Sequence, residues 1–157
     1  MTFHIHPLPT DMVTALRKGG TDAYGQKPEH AISDGKANPC RHCLQDIPEG
    51  AGMLILALRP FADPQPYAET GPIFLCADDC DAWSGGDDEI PPILQTSPDY
   101  LIKGYFGTER IAYGTGRIAP STELAPAIAA IFEREDVDFV DIRSARNNCF
   151  QARARRA

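Results

Sequence analysis

Residues 137–155 read VDFVDIRSARNNCFQARAR, and this stretch decides the fold class. Val137–Ile142 is rich in β-branched and aromatic residues, and Cys149–Arg155 alternates along its length; both patterns are typical of β-strands. Asn147-Asn148 stands between them, and asparagine accepts the left-handed backbone angles of a tight turn. The stretch therefore predicts an antiparallel hairpin near the C-terminus.

More short strands are predicted on the N-terminal side of this hairpin. Their residues are Phe3–His6, Met53–Leu58, Ile73–Ala77, Leu101–Phe106 and Arg110–Ile118. Met53–Leu58 is a continuous apolar run, which indicates a strand buried on both faces. Leu101–Phe106 and Arg110–Ile118 flank a glycine-containing turn and predict a second hairpin. Residues 20–39 are polar and contain glycine and proline, so we expect a loop there.

The sequence predicts one main helix. Apolar residues recur at helical spacing from Leu124 to Phe132, which indicates an amphipathic helix over about residues 123–135. A shorter helix is predicted from Thr10 to Lys18, with Thr10 as its N-cap. Many short strands and one main helix predict an α+β fold. We expect a largely antiparallel sheet with the helix of residues 123–135 packed on one face, and a loop-rich N-terminal half.

Length and composition exclude several classes of protein. The chain has 157 residues, 43% of them apolar, which predicts a single domain over residues 1–157. Fifteen basic and 22 acidic residues give a net charge of −7, which disfavours general nucleic-acid binding. The longest apolar run, Ala51–Leu58, is far shorter than the roughly 20 residues of a membrane helix. The first residues also lack the features of a secretory signal, so we expect a cytoplasmic protein without a membrane partner.

Four of the five cysteines form two close pairs that predict a metal site. Cys40 and Cys43 have two residues between them, whereas Cys76 and Cys80 have three. Zinc prefers four nitrogen or sulfur ligands in a tetrahedron, and two cysteine pairs from separate loops supply such a shell. Four thiolates leave no open position, so the predicted zinc would be structural. His42, inside the first pair, is expected to point outward.

Two other interpretations of these cysteines remain open. The four residues could be ordinary buried cysteines, because the small thiol side chain behaves as an apolar group. Cys40 and Cys43 could also form a redox dithiol. That motif normally opens a long helix, however, and Pro48 and Gly50 follow too closely for a long helix to begin here.

Cys149 is a candidate catalytic nucleophile. On the predicted strand it shares a face with Arg153 and Arg155, while Arg143 and Arg146 precede it in the chain. Nearby cations stabilise a thiolate and lower the pKa of the thiol. A nucleophile also needs a base, and the sequence places no histidine beside Cys149. The alternative is a half-buried cysteine on an edge strand among solvated arginines.

The same C-terminal segment predicts a binding site for an anion. Arg143, Arg146 and Asn147 offer charged and polar donors that suit a small anionic ligand or the carboxylate of a protein partner. A nucleic-acid binder that uses these arginines is a further alternative, which the net charge disfavours.

Five motifs together resemble a known family. They are Pro39–Leu44, Arg59–Phe61, Pro66–Phe74, Tyr113–Arg117 and Arg143–Phe150. In these motifs the chain resembles the bacterial family known as domain of unknown function 1203, from about Phe3 to Arg155. The resemblance implies a bacterial protein without an assigned activity. It also draws attention to Arg143, Arg146, Asn147 and Cys149.

The sequence therefore predicts a binding module that is stabilised by one structural zinc ion, with Cys40, Cys43, Cys76 and Cys80 as the metal ligands. The alternative, from another functional class, is a thiol-dependent enzyme that uses Cys149 beside Arg143 and Arg146.

Overall fold

The structure is a computed structural model that describes all 157 residues. It contains eight β-strands and two α-helices. The strands are β1 (Phe3–His6), β2 (Glu29–Ile32), β3 (Gly52–Leu58), β4 (Gly71–Cys76), β5 (Asp99–Tyr105), β6 (Arg117–Pro120), β7 (Phe139–Ser144) and β8 (Phe150–Arg156). The helices are α1 (Thr10–Arg17) and α2 (Leu124–Ile131). None of the helices has the length and apolar character needed to cross a membrane.

The strands form two antiparallel sheets. The large sheet has the order β1-β8-β7-β5-β6, and the small sheet has the order β2-β3-β4. The hairpin of β7 and β8 lies at the centre of the large sheet, where the first strand of the chain pairs with the last. The predicted α+β fold with largely antiparallel pairing is confirmed, although the strands divide between two sheets.

The main helix covers one face of the large sheet. Ile102, Ile142 and Ala152 are paired neighbours on β5, β7 and β8, and they belong to the apolar cluster that includes Leu124 and Ile128 of α2. The approach is close at Gly104, where an added Cβ would lie only 3.0 Å from Ile131 Cγ2. Burial of the apolar side chains of α2 against β5, β7 and β8 therefore holds the helix on the sheet.

A β-bulge changes the predicted faces of β8. Ile142 lies opposite Ala152, but Arg143 lies opposite Phe150, so Gln151 is an extra residue in the ladder. Without a bulge, strict alternation along β8 would place Phe150 on the α2 side of the sheet, with Ala152, and Arg153 on the other side. The bulge instead turns Phe150 away from the α2 side and into the apolar cluster of the small sheet. One strand thereby contributes to two cores.

The largest differences from the sequence prediction lie at β2, β6 and the end of α2, whereas the other elements differ by no more than two residues at their ends. Strand β2 lies within the predicted loop of residues 20–39, because its mostly exposed residues carry no burial pattern. Strand β6 begins at Arg117 rather than at Arg110, and only the isolated bridge between Tyr105 and Ile111 precedes it. Helix α2 ends at Ile131, and the hydrogen bonds that follow run over three residues, which tightens the chain into a turn.

Removal of core volume beneath α2 should destabilise the protein. Ile142→Ala is expected to lower the free energy of unfolding by about 2–5 kcal/mol, because the side chain is 0% exposed and leaves a cavity. The matched control is Ile118→Ala on β6, where the side chain is 51% exposed. Urea denaturation measures both variants, and equal losses would contradict the placement of this core.

Candidate metal centre

Four cysteines from two loops converge on one point. Cys40 and Cys43 lie in the loop between β2 and β3, Cys76 ends β4, and Cys80 follows in the next loop. Their four Sγ atoms all lie within 4.8 Å of one another. We call this group the metal centre, because its geometry could hold a metal ion.

The separations of the sulfur atoms fit ligands of a single ion. Sγ of Cys40 lies 3.9 Å from Sγ of Cys80, and Sγ of Cys43 lies 4.0 Å from Sγ of Cys76. Two sulfurs that each bind zinc at about 2.3 Å in a tetrahedron are about 3.8 Å apart. A disulfide would bring its sulfurs to about 2.05 Å, and all five cysteines of the chain are free thiols.

A tight turn brings the first two sulfurs together. The backbone folds back between Cys40 and Leu44, where Leu44 N–H donates to Cys40 O at 3.0 Å. Leu44 has a positive φ of 54°, and Gln45 O accepts the N–H of Cys40 at 2.9 Å. Leu44 is fully buried in the apolar cluster that includes Leu124 and Ile128 of α2, so its packing holds the turn in place. The turn is also attached to β4 through a bridge from Cys40 to Phe74.

Nitrogen donors surround the sulfur atoms. The backbone N–H of Cys76 donates to Cys40 Sγ at 3.3 Å, and Arg17 Nη2 donates to Cys80 Sγ at 3.1 Å. Arg17 Nε also donates to Cys76 O at 3.0 Å. Such donors lower the cost of collecting several thiolates in a partly buried position.

His42 lies beside the centre instead of pointing outward. It is 1% exposed, its Nδ1 lies 3.2 Å from Cys80 Sγ, and its Nε2 is paired with Thr10 Oγ1 at 2.9 Å. Burial and then the charge of Arg17 lower the pKa of His42, which favours the neutral ring. The prediction for His42 was wrong because apolar burial of the turn carries the ring inward.

The pKa values of the clustered thiols are shifted in opposite directions. The nearby side chains of Cys43 and then Cys76 hold the pKa of Cys40 below its usual range. The same interaction with Cys40 raises the pKa of Cys43 to about 12 and raises the pKa of Cys76 still further. A metal ion that binds all four sulfurs must therefore displace protons from Cys43 and Cys76.

Arg41 links the metal centre to the C-terminal strand. Its buried guanidinium donates through Nε to Phe150 O at 2.8 Å and through Nη1 to Pro39 O at 2.6 Å. Burial lowers the pKa of Arg41 to about 10, while the nearby thiols of Cys149 and Cys40 oppose that shift. Arg41 is thus the cation near Cys149 that the sequence analysis did not identify.

The three predicted anion-binding residues do not share a pocket. Arg143 has a side chain that is only 5% exposed, and its Nη2 lies 2.7 Å from Glu69 Oε2. Arg146 is 66% exposed and is paired with Asp99 Oδ1 at 2.7 Å. Asn147 is exposed in the turn between β7 and β8. Arg143 and Arg146 therefore bind different carboxylates of the protein itself, and an anion-binding role for them stays a prediction.

Cys149 is partly buried at the start of β8. Its Sγ contacts Asn147 O at 3.8 Å, and no histidine or carboxylate lies within hydrogen-bonding distance of that sulfur. The four histidines lie elsewhere: His4 and His6 on β1, His30 on β2, and His42 at the metal centre. The nucleophile alternative therefore has no base in place and stays a prediction.

Sequence reasoning missed the residues that support the metal centre. Thr10 and Arg17 belong to α1, more than twenty residues before the first cysteine. Neither residue has a local signature, because a threonine at a helix start and an arginine at a helix end are common everywhere. Only the packing of α1 against the loops of His42 and Cys80 reveals their contacts with the centre.

Comparison with known proteins gives one match. Residues 37–156 of the chain match the model of the family described as "Protein of unknown function (DUF1203)", and this range contains all four cysteines of the metal centre. No curated protein and no solved structure gives a significant match. The family resemblance predicted from the five motifs is confirmed.

Arg17 should contribute to stability through its two contacts at the centre. Arg17→Gln removes the donors to Cys80 Sγ and Cys76 O and is expected to cost about 1–3 kcal/mol. Arg117→Gln is the matched control, because the exposed Arg117 reaches only Ala127 O. Urea denaturation in the presence of a chelator separates this effect from metal binding, and equal stabilities of the two variants would contradict it.

Proposed function

Because the chain belongs to the DUF1203 family, whose description assigns no activity, we propose a function from its own geometry: a binding module held together by one structural zinc ion. The observation that carries the zinc assignment is the convergence of four Sγ atoms within 4.8 Å of one another. Cys40, Cys43, Cys76 and Cys80 are the proposed ligands.

The chemistry of the donor set favours zinc in a structural role. Four thiolates in a tetrahedron suit zinc or an iron–sulfur cluster, and the sulfur separations of 3.9 and 4.0 Å are those of a single small ion. Four protein ligands fill the shell and leave no position for water or substrate. Zinc without an open position supplies folding free energy rather than Lewis-acid chemistry.

The position of the centre explains what the ion would stabilise. The loops that contain Cys40, Cys43 and Cys80 have little regular structure. The centre joins these loops to each other, to α1 through Arg17, and to β8 through Arg41. The ion would therefore fasten the small sheet and α1 to the large sheet, which favours one cooperative domain over residues 1–157. Free thiols for such a site persist in a reducing compartment, which supports a cytoplasmic location.

The binding role is supported by the cations at the end of the chain. Five arginines lie between Arg143 and Arg156, in a protein whose net charge is −7. Arg143 has two buried nitrogens, Nε and Nη2, without a hydrogen-bond acceptor, although Nη2 lies against Glu69. At Arg146, beside Asn147, a ligand's carboxylate would have to replace Asp99. We propose a small anionic ligand or a partner's carboxylate as the bound group.

Zinc content tests the proposal directly. We expect about one zinc per chain in the purified protein, and we expect a chelator to lower the melting temperature by about 10 °C or more. Cys43→Ser should lose the metal and the stabilisation. Cys149→Ser is the matched control, because Cys149 lies outside the centre, and it should keep both. Elemental analysis and thermal denaturation provide the measurements.

Two outcomes would contradict the zinc proposal. The first is a metal-free protein whose stability does not change when zinc or a chelator is added. The second is retention of zinc by Cys43→Ser together with its loss in Cys149→Ser, which would place the metal elsewhere in the chain.

Zinc affinity should depend on pH in a defined direction. The pKa values of Cys43 and Cys76 are raised in the metal-free fold, so both thiols hold protons at neutral pH. Zinc must displace these protons, and its affinity is expected to rise by about tenfold per pH unit for each proton released. A competition titration with a chromophoric chelator measures the slope. An affinity that stays constant between pH of about 6 and about 8 would contradict four-thiolate coordination.

A further inference from the structure

We propose that a cleft between β1, α1, β8 and the segment after β3 binds a small molecule that carries a carboxylate or phosphate group on an apolar body. This inference rests on the proposed binding role and assigns it a different site from Arg143, Arg146 and Asn147. The site is independent of the metal centre, none of whose cysteines lines the cleft.

The cleft has the size of a small-ligand site. Its volume is about 410 Å³, which lies within the usual range of small-molecule pockets. The end of β1 and the start of α1 form one wall, and β8 forms another. The segment Arg59–Ala62 and Glu109 complete the lining.

Three guanidinium groups line the cleft, from Arg59, Arg153 and Arg155. Carbonyl groups of one segment orient two of them. Arg153 Nη2 donates to Pro60 O at 2.7 Å, and Arg59 Nε lies 3.4 Å from Phe61 O. Glu109 Oε2 accepts the N–H of Ala62 at 2.9 Å and anchors that segment. The positions of the two cations are therefore set before any ligand binds.

These arginines keep donors free for an anion. Arg59 has no carboxylate partner and makes only long contacts, both of 3.4 Å, with carbonyl oxygens of its own loop. Arg153 uses Nε and Nη2 on the buried Asp141, but its Nη1 makes no hydrogen bond within the protein. Arg155 is bound through Nη1 to the partly exposed Asp138. An oxyanion in the cleft would meet Arg59 and Arg153 without displacing a carboxylate from either.

The charge of the cleft favours anions. Three arginines and one carboxylate, Glu109, line it. Because Asp141 and Asp138 pair with Arg153 and Arg155, the cation without a carboxylate partner is Arg59. His6 lies at the edge, and burial followed by the charge of Arg155 lowers its pKa. The charge of Arg155 thus acts on His6 at the edge of the cleft, although Arg155 is paired with Asp138.

Apolar side chains form the rest of the site. Leu8, Phe61 and Phe150 line the cleft as nearly buried groups, and Met12 of α1 stands at its wall with 40% of its surface exposed. Methionine adapts its shape to flexible or varied partners. An anionic group held by arginines beside an apolar wall suits a ligand with both characters, rather than a bare inorganic ion.

Binding of simple probes to the zinc-loaded protein tests the inference. We expect phenyl phosphate and benzoate to bind saturably in the millimolar range, and benzyl alcohol, which lacks the charge, not to bind. Inorganic phosphate, which lacks the apolar body, should bind more weakly than phenyl phosphate. The measurement is a chemical-shift titration of ¹⁵N-labelled protein, in which the shifts should concentrate on the lining residues. The tighter of the two aromatic probes identifies the anionic group.

Arginine variants separate the two candidate sites. Arg59→Gln should weaken binding of the better aromatic probe by about tenfold or more, because it removes a charged donor. Arg146→Gln is the matched control, an exposed arginine on the turn of β7 and β8, and should leave the affinity unchanged. Melting temperatures equal to that of the wild-type protein show that each variant is folded.

Three results would overturn the inference: the absence of saturable binding by either aromatic probe, full affinity in Arg59→Gln, or inorganic phosphate binding as tightly as phenyl phosphate. Loss of binding in Arg146→Gln alone would assign the anion to the site predicted from the sequence. Zinc content is measured on the same samples. A metal-free protein that still binds the probes would refute the zinc proposal but not the cleft as a binding site.

Discussion

The separation of four sulfur atoms is the constraint on which the N-terminal half of the structure depends. Two loops with little regular structure must bring their thiols together, and the four Sγ atoms lie within 4.8 Å of one another. Leu44 fixes one loop through the core beneath α2, and Arg17 fixes the other through α1. The small sheet lies between these attachments, and its apolar side chains share a cluster with Phe150 of β8.

The sequence predicted elements whose burial follows a simple period, and it failed where burial does not. Helix α2 shows the helical period, and the C-terminal strand was predicted from alternation. Strand β3 was predicted instead from a continuous apolar run. Strand β2 is exposed and shows no such pattern. The bulge at Gln151 is set by pairing with Arg143, which no local pattern encodes. At the metal centre the cysteines were predictable from their spacing, whereas Arg17 and His42 were not, because their contacts depend on tertiary packing.

The two faces of the large sheet have opposite chemistry. The face beneath α2 is apolar, whereas the other carries Lys103, Asp141 and Arg153 in register across β5, β7 and β8. The connection between β3 and β4 covers this charged face, and its Glu69 pairs with Lys103 and Arg143. Most of these charges therefore neutralise one another. The cleft lies where this cover is incomplete and an arginine donor remains available.

The pairing of β1 with β8 has a consequence for synthesis on the ribosome. The large sheet joins the first strand of the chain to the last, so it cannot close until translation of β8 is finished. All four cysteines of the metal centre, in contrast, lie within the first 80 residues and are synthesised long before β8. The ion that we propose could thus bind to the nascent small sheet before the large sheet forms, and the small sheet would then present a preformed surface onto which the late hairpin folds.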